Sequence, residues 1–126
     1  MNVPIKPDQR LVVVGDMHGC FETLARLCFG DEQVGVTAVG FPGDEIDGHT
    51  NVYVFNGDFV DRGGSGYQII FTLCLFLLVW PEYTYLNRGN HETSLFGASL
   101  QPGMGYKFLN EVRDKFPQAD MVMIQQ

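Results

Sequence analysis

Short apolar runs alternate along this chain with longer stretches of helical spacing, and glycine, proline or acidic residues mark each change. Leu11-Val12-Val13-Val14 is β-branched and ends at Gly15-Asp16, which predicts a buried strand. From Phe21 to Phe29 the apolar residues at 21, 24, 25, 27 and 28 keep a helical spacing, with Gly30 placed to stop it. Residues 31–50 lose all period. Gly35, Gly40, Pro42-Gly43 and Asp47-Gly48 are turn formers, and Asp31, Glu32, Asp44 and Glu45 keep the segment wet, so a surface loop is expected. Asn51-Val52-Tyr53-Val54-Phe55 is a second strand, and a helix follows from about Ser65 to Val79, stopped by Pro81. Its apolar residues run nearly all the way round, which predicts burial on more than one face. Tyr83-Thr84-Tyr85-Leu86 makes a third strand. A glycine-bearing loop over 97–105 and an amphipathic helix over 106–116, broken by Pro117, complete the pattern.

Strand and helix thus alternate as β-α-β-α-β-α. The expected fold class is α/β, a parallel sheet with right-handed crossovers and flanking helices. In such sheets ligands bind beyond the carboxyl ends of the strands. No internal repeat or low-complexity tract interrupts the order.

Composition narrows the picture. A chain of 126 residues holds one domain at most, and 45% apolar residues with 13% aromatics suffice for a core. The formal charge of −7 argues against a nucleic-acid partner, which calls for a basic face. The most apolar stretch, Ile69 to Trp80, is shorter than the about 20 residues needed to span a bilayer, so no membrane role is expected. Cys20, Cys28 and Cys74 are odd in number and show no paired spacing, which points to a reducing compartment. No secretory leader is read at the start, and the cytoplasm, with the nucleus as a second location, is the expected place.

The candidate chemistry lies in three blocks: Gly15-Asp16-Met17-His18-Gly19, Gly57-Asp58-Phe59-Val60-Asp61-Arg62-Gly63 and Gly89-Asn90-His91-Glu92. Each sets metal-type oxygen or nitrogen donors beside glycine, and each follows a strand. Taken singly, the first is also a turn with Asp as a cap, the second a loop salt bridge and the third a polar turn. Taken together and in order, each at a strand's carboxyl end, they point to a metal site built on the rim of a parallel sheet. Asp16, Asp58 and Asp61 would then sit beside cations, making the effective surface less acidic than the formal count.

These blocks resemble the GDxHG, GDxVDRG and GNHE signatures of the phosphoprotein (Ser/Thr) phosphatases, within the calcineurin-like metallophosphatases, without a substitution. The longer strings Phe55 to Gly63 and Asn87 to Thr93 look most like the branch of protein phosphatase five and the EF-hand phosphatases. The resemblance runs from about Leu11 to about Lys115. It implies a metal-dependent hydrolase that cleaves phosphomonoesters of phosphoprotein substrates with water activated by two metal ions (Mn, Fe or Zn). Residue by residue, it implies that Asp16 and His18 bind one metal, Asp58 bridges both and Asn90 binds the second. His91 would protonate the leaving alkoxide, Asp61 would orient that imidazole, and Arg62 with Asn90 would hold the phosphate. Arg88 is expected to brace the loops, Glu92 to hydrogen-bond beside the ligands, and His49 to be solvated.

The resemblance also implies what is not here. Family members complete the second metal with two further histidines and hold phosphate with another arginine, all downstream of the matched region. His18, His49 and His91 are the only histidines in this sequence. The expectation is therefore the N-terminal half of a catalytic domain over 1–126, half of a two-sheet sandwich, weakly active or inactive alone. One sheet face and an edge strand would be left uncovered, for the C-terminal half or a regulatory chain to meet. The segments 30–50 and 94–105 look longer than the family norm, and Cys20 stands where Gln is usual. Two other functions fit the same blocks: a non-catalytic product that binds another chain, and a dinucleoside polyphosphate hydrolase, which shares GDxVDRG.

Overall fold

The apolar run around Val52 becomes the middle of the sheet. In the computed structural model, which describes residues 3–94 and 108–118, β1 (Gln9–Val14), β2 (Glu45–Ile46), β3 (His49–Phe55) and β4 (Thr84–Leu86) form one four-stranded sheet. Strand β3 pairs in parallel with β1, from Gln9↔Thr50 to Val14↔Phe55, and with β4, from Tyr53↔Thr84 to Phe55↔Leu86. Its amides alternate sides: Thr50 N–H donates to Asp8 O, whereas those of Asn51 and Tyr53 donate to Asp44 O and Tyr83 O. So β2 and β4 share one edge of β3 in succession, with β1 on the other. The helices are α1 (Phe21–Phe29), α2 (Gly66–Val79), α3 (Asn90–Ser94) and α4 (Phe108–Lys115).

The predicted parallel α/β order is therefore observed, with two additions. Residues 31–50 are not simply a wet loop. Glu32–Val34 forms a 3-10 turn, and Asp47-Gly48 closes an antiparallel hairpin in which Ile46 pairs with His49. The hairpin is tied down by buried Asn51, which accepts from Arg10 Nε at 2.9 Å and donates to Val39 O at 2.8 Å. Phe41 stacks on Trp80, with ring centroids 5.8 Å apart. Short side-chain tethers of this kind leave no periodic signal. Helix α3 is the second addition, where the sequence predicted only a turn. His49 begins β3 and is exposed, as expected of it. The predicted 97–105 loop lies outside the described residues.

One layer of helix covers one face of the sheet. Tyr53 and Phe55 project from that face and are fully buried, against Leu24 and Cys28 of α1 and Ile69, Leu73 and Phe76 of α2. Helix α1 ends at Gly30, whose φ of 74° breaks the helix while its N–H closes on Arg26 O. Helix α2 departs from expectation: it buries a single stripe, and Phe71 and Leu78 are 66% and 78% exposed. Its all-round apolarity reflects what it offers for packing, and only the sheet, α1 and part of α4 take it up among the described residues. The opposite sheet face is open at β1, where Leu11 and Val13 are 47% and 63% exposed. No described helix is long and apolar enough to cross a membrane.

Candidate metal centre

Because β1, β3 and β4 are parallel and adjacent, the three blocks that follow them emerge at one rim. Backbone bonds then join block to block. Met17 and His18 N–H both donate to Asp58 O (3.1 and 2.9 Å), Gly19 N–H to Phe59 O (2.9 Å) and Gly63 N–H to His18 O (2.9 Å). This requires close main-chain approach at two glycine pairs. A Cβ at Gly57 would lie 2.2 Å from Gly89 N, and one at Gly19 2.7 Å from the Gly63 carbonyl carbon. Glu92 supplies a third tie. Its buried carboxylate accepts from the N–H groups of Asp58 (2.7 Å), Phe59 (2.7 Å) and Gly89 (2.8 Å). It thus joins the second block to the third through the main chain and takes no place among the inward-facing donors.

The backbone is strained here. His18, Asp58, Asp61 and Arg62 have φ of 43°, 52°, 66° and 66°, and Asp47 is the one other described non-glycine residue with positive φ. Left-handed conformations at branched or long side chains persist only where surrounding contacts impose them, and they concentrate at functional sites.

The side chains converge. His18, Asp58 and His91 present ligand atoms within 4.8 Å of one another. His18 Nδ1–H donates to Val60 O at 3.2 Å, which leaves Nε2 with its lone pair, 3.8 Å from Asp16 Oδ2. Asp58 Oδ1 accepts the His91 N–H at 2.9 Å, and among the described residues no Lys or Arg pairs with this buried carboxylate. A buried carboxylate facing two imidazoles without a basic partner fits a cation. His91 Nδ1–H donates to Asp61 Oδ2 at 2.9 Å, and its ring meets that of His18 edge-on, 4.7 Å between centroids. Asp61 Oδ1 accepts the Phe108 N–H at 2.7 Å.

Asn90 is the exposed first residue of α3, next to His91. Asp16 and Arg62 are exposed on the same rim, and Arg62 and Arg88 make no ion pair among the described residues. Beside the first block, Cys20 is exposed and its pKa is lowered, chiefly by the Thr23 hydroxyl that donates to Sγ at 3.4 Å. Sequence reasoning missed the bond from the Phe108 N–H to Asp61, since a main-chain donor carries no residue signature. It also passed over Glu111, although that residue falls one helical turn from Phe108 and beside Val112 on the apolar face of the final helix.

Comparison with known proteins points to one family. The profile of the calcineurin-like phosphoesterase family matches residues 9–124. The chain is 35% identical over 112 residues to serine/threonine-protein phosphatase 5 of Homo sapiens, covering 89% of this chain and 19% of that protein. It is 32% identical over 115 residues to serine/threonine-protein phosphatase with EF-hands 1 of Homo sapiens, covering 91% and 15%. A solved protein serine/threonine phosphatase from Saccharomyces cerevisiae, with similarity to human phosphatase PP5, matches 95% of this chain and 32% of its own at a TM-score of 0.64 and 29% identity. The chain thus spans under a quarter of the length of these curated relatives.

Proposed function

The chain belongs to the calcineurin-like phosphoesterase family, and from that premise we propose that its rim carries the metal-binding and proton-donating face of a serine/threonine phosphoprotein phosphatase. The observation that carries this reading is the grouping of His18, Asp58 and His91 within 4.8 Å, with His91 held by Asp61. Asp16 and His18 would hold one ion, Asp58 would be shared, and Asn90 would serve a second. Carboxylate, imidazole and amide oxygen together suit Mn, Fe or Zn. When bound, such ions polarise phosphoryl oxygens and lower the pKa of water.

The protein's own groups do the rest. Asp61 fixes the proton of His91 on Nδ1, so the ring has a defined tautomer and presents Nε2 to the cluster. Protonated there, His91 hands its proton to the departing serine or threonine oxygen. The planar fork of Arg62 holds two phosphate oxygens, and the Asn90 amide adds a neutral contact. His91 is kept out of the ligand set in this reading, although it lies near enough to join it.

Calorimetric titration of the purified chain with Mn²⁺ separates these roles. Asp58→Asn should weaken Mn²⁺ binding by ~10-fold or more, the scale seen when a metal site loses ligand or supporting charge. His91→Asn should bind Mn²⁺ and inorganic phosphate much as the unaltered chain does, while the slight hydrolysis of p-nitrophenyl phosphate expected of this chain disappears. Equal Mn²⁺ affinity in Asp58→Asn and the unaltered chain would remove the basis of the proposal.

The exposure of Leu11 and Val13 favours a second reading, in which the chain binds another through its open sheet face. It predicts a stable complex in size-exclusion chromatography without metal, and a monomer at all concentrations counts against it.

A further inference from the structure

A carboxylate lies buried one helical turn from Phe108, whose N–H binds Asp61, and it is not one of the grouped metal-type donors. Glu111, on α4, is 1% exposed. Its Oε1 accepts the Tyr67 N–H at 3.0 Å, in the first turn of α2, and its Oε2 has no hydrogen-bond partner among the described residues. No cation pairs with it among the described residues. The favourable charge at this depth is the N-terminal end of α2. Room for it exists because residue 66 is glycine: a Cβ there would stand 3.1 Å from Glu111 Oε2 and 3.3 Å from Phe108 Cδ2. An apolar residue of the same size would fill this space without burying a charge, so packing alone does not account for the carboxylate.

Phe108 and Glu111 are three apart and share one face of α4. That face therefore makes two polar attachments, Glu111 to the start of α2 and the Phe108 N–H to Asp61. Asp61 has both oxygens committed, one to α4 and one to His91, and its side chain is 15% exposed. The direction in which Asp61 points is thus tied to where α4 sits, and Glu111 is the polar contact to the start of α2 that holds α4 there, beside buried Val112 and the Tyr67–Phe116 ring pair. We propose that Glu111 is a positioning residue for His91, acting through the α4 backbone and Asp61 to keep the imidazole in a single orientation and tautomer. This rests on the reading of His91 as proton donor, and it predicts that the dyad loosens whenever α4 is released from α2.

The test is NMR of the metal-free, ¹⁵N-labelled chain at a pH where imidazole is neutral, reading the His91 ring ¹⁵N shifts and amide exchange. Glu111→Leu keeps the buried volume but offers no acceptor. It should move His91 from the Nδ1–H form to a mixture of tautomers and speed Phe108 N–H exchange by ~10-fold or more, the mark of local opening. Glu111→Gln retains an oxygen for the Tyr67 N–H and should restore the original signature, a rescue that a purely volumetric role would not need. A folded Glu111→Leu chain with unchanged His91 shifts and Phe108 exchange overturns the proposal, as does a Glu111→Gln chain no better than Glu111→Leu. Should Glu111→Leu not fold, the unaltered chain decides: Tyr67 and Phe108 amides should exchange at matched, slow rates, and free exchange of either alone overturns it. Neither metal nor turnover enters this readout, so a failure of the phosphatase reading shows separately, in the Mn²⁺ titration.

Discussion

At the scale of single residues, the site depends on atoms that are missing as much as on those present. Gly57 and Gly89 touch through their backbones, and the turn at Gly57 has φ of 96°. Gly57→Ala therefore meets both a conformational penalty and a collision with the main chain of the third block. It should lower stability by at least ~2 kcal/mol in urea denaturation. That Asp16, His18, Asp58, Asp61 and His91 share one rim was legible in the sequence because three glycine-flanked blocks each followed a strand. Glu92 was legible as a neighbour of the candidate donors, but its three amide contacts were not, because they depend on how two loops meet. Glu111 was hidden for a related reason: a charged residue in an amphipathic helix reads as solvent-facing unless its angle around the axis is checked against its apolar neighbours.

At the scale of elements, α2 carries the sharpest correction. Its composition predicted burial on more than one face, and the structure buries the Ile69, Leu73 and Phe76 stripe while leaving Phe71, Leu75 and Leu78 exposed. Hydropathy reports which faces a helix has available, whereas burial needs a partner on each. Two leucines in this one helix separate the readings. Leu73→Ala, 1% exposed, should cost about 2–4 kcal/mol through the cavity it leaves. Leu78→Ala, 78% exposed, should change stability by under about 0.5 kcal/mol. Similar losses at both positions would mean that α2 is covered on its second face. Strand β2 and the turn into β3 were read as loop because their order comes from Asn51 and Phe41 reaching across to other elements. By contrast, α1 matched its prediction from Phe21 to Phe29, since spacing and a glycine stop are both local.

At the scale of the whole molecule, the core sets an alkaline limit on folding. Burial, and then the charge of Asp44, push the Cys28 thiol from 9.0 up to about 11, and burial raises Tyr53 as well. Both groups favour the protonated form in the folded chain. The Cys28 contribution is complete below 9.0 and is lost as pH climbs towards about 11, and that of Tyr53 begins to be lost only above 10.0. Thermal melts should fall through that window, and Cys28→Ala should delay the fall towards the ordinary tyrosine value of 10.0. A flat profile from pH 8 to about pH 11 would contradict the burial of these groups.

The central claim is that three blocks distant in sequence converge on one cation site. Paramagnetic broadening by substoichiometric Mn²⁺ in the amide NMR spectrum tests it most directly. The account predicts that residues 16–19, 58–62 and 90–92 broaden first and together, and that Asp58→Asn abolishes the effect in all three. Broadening centred instead on the acidic 44–47 hairpin, or spread evenly over the surface, would contradict it.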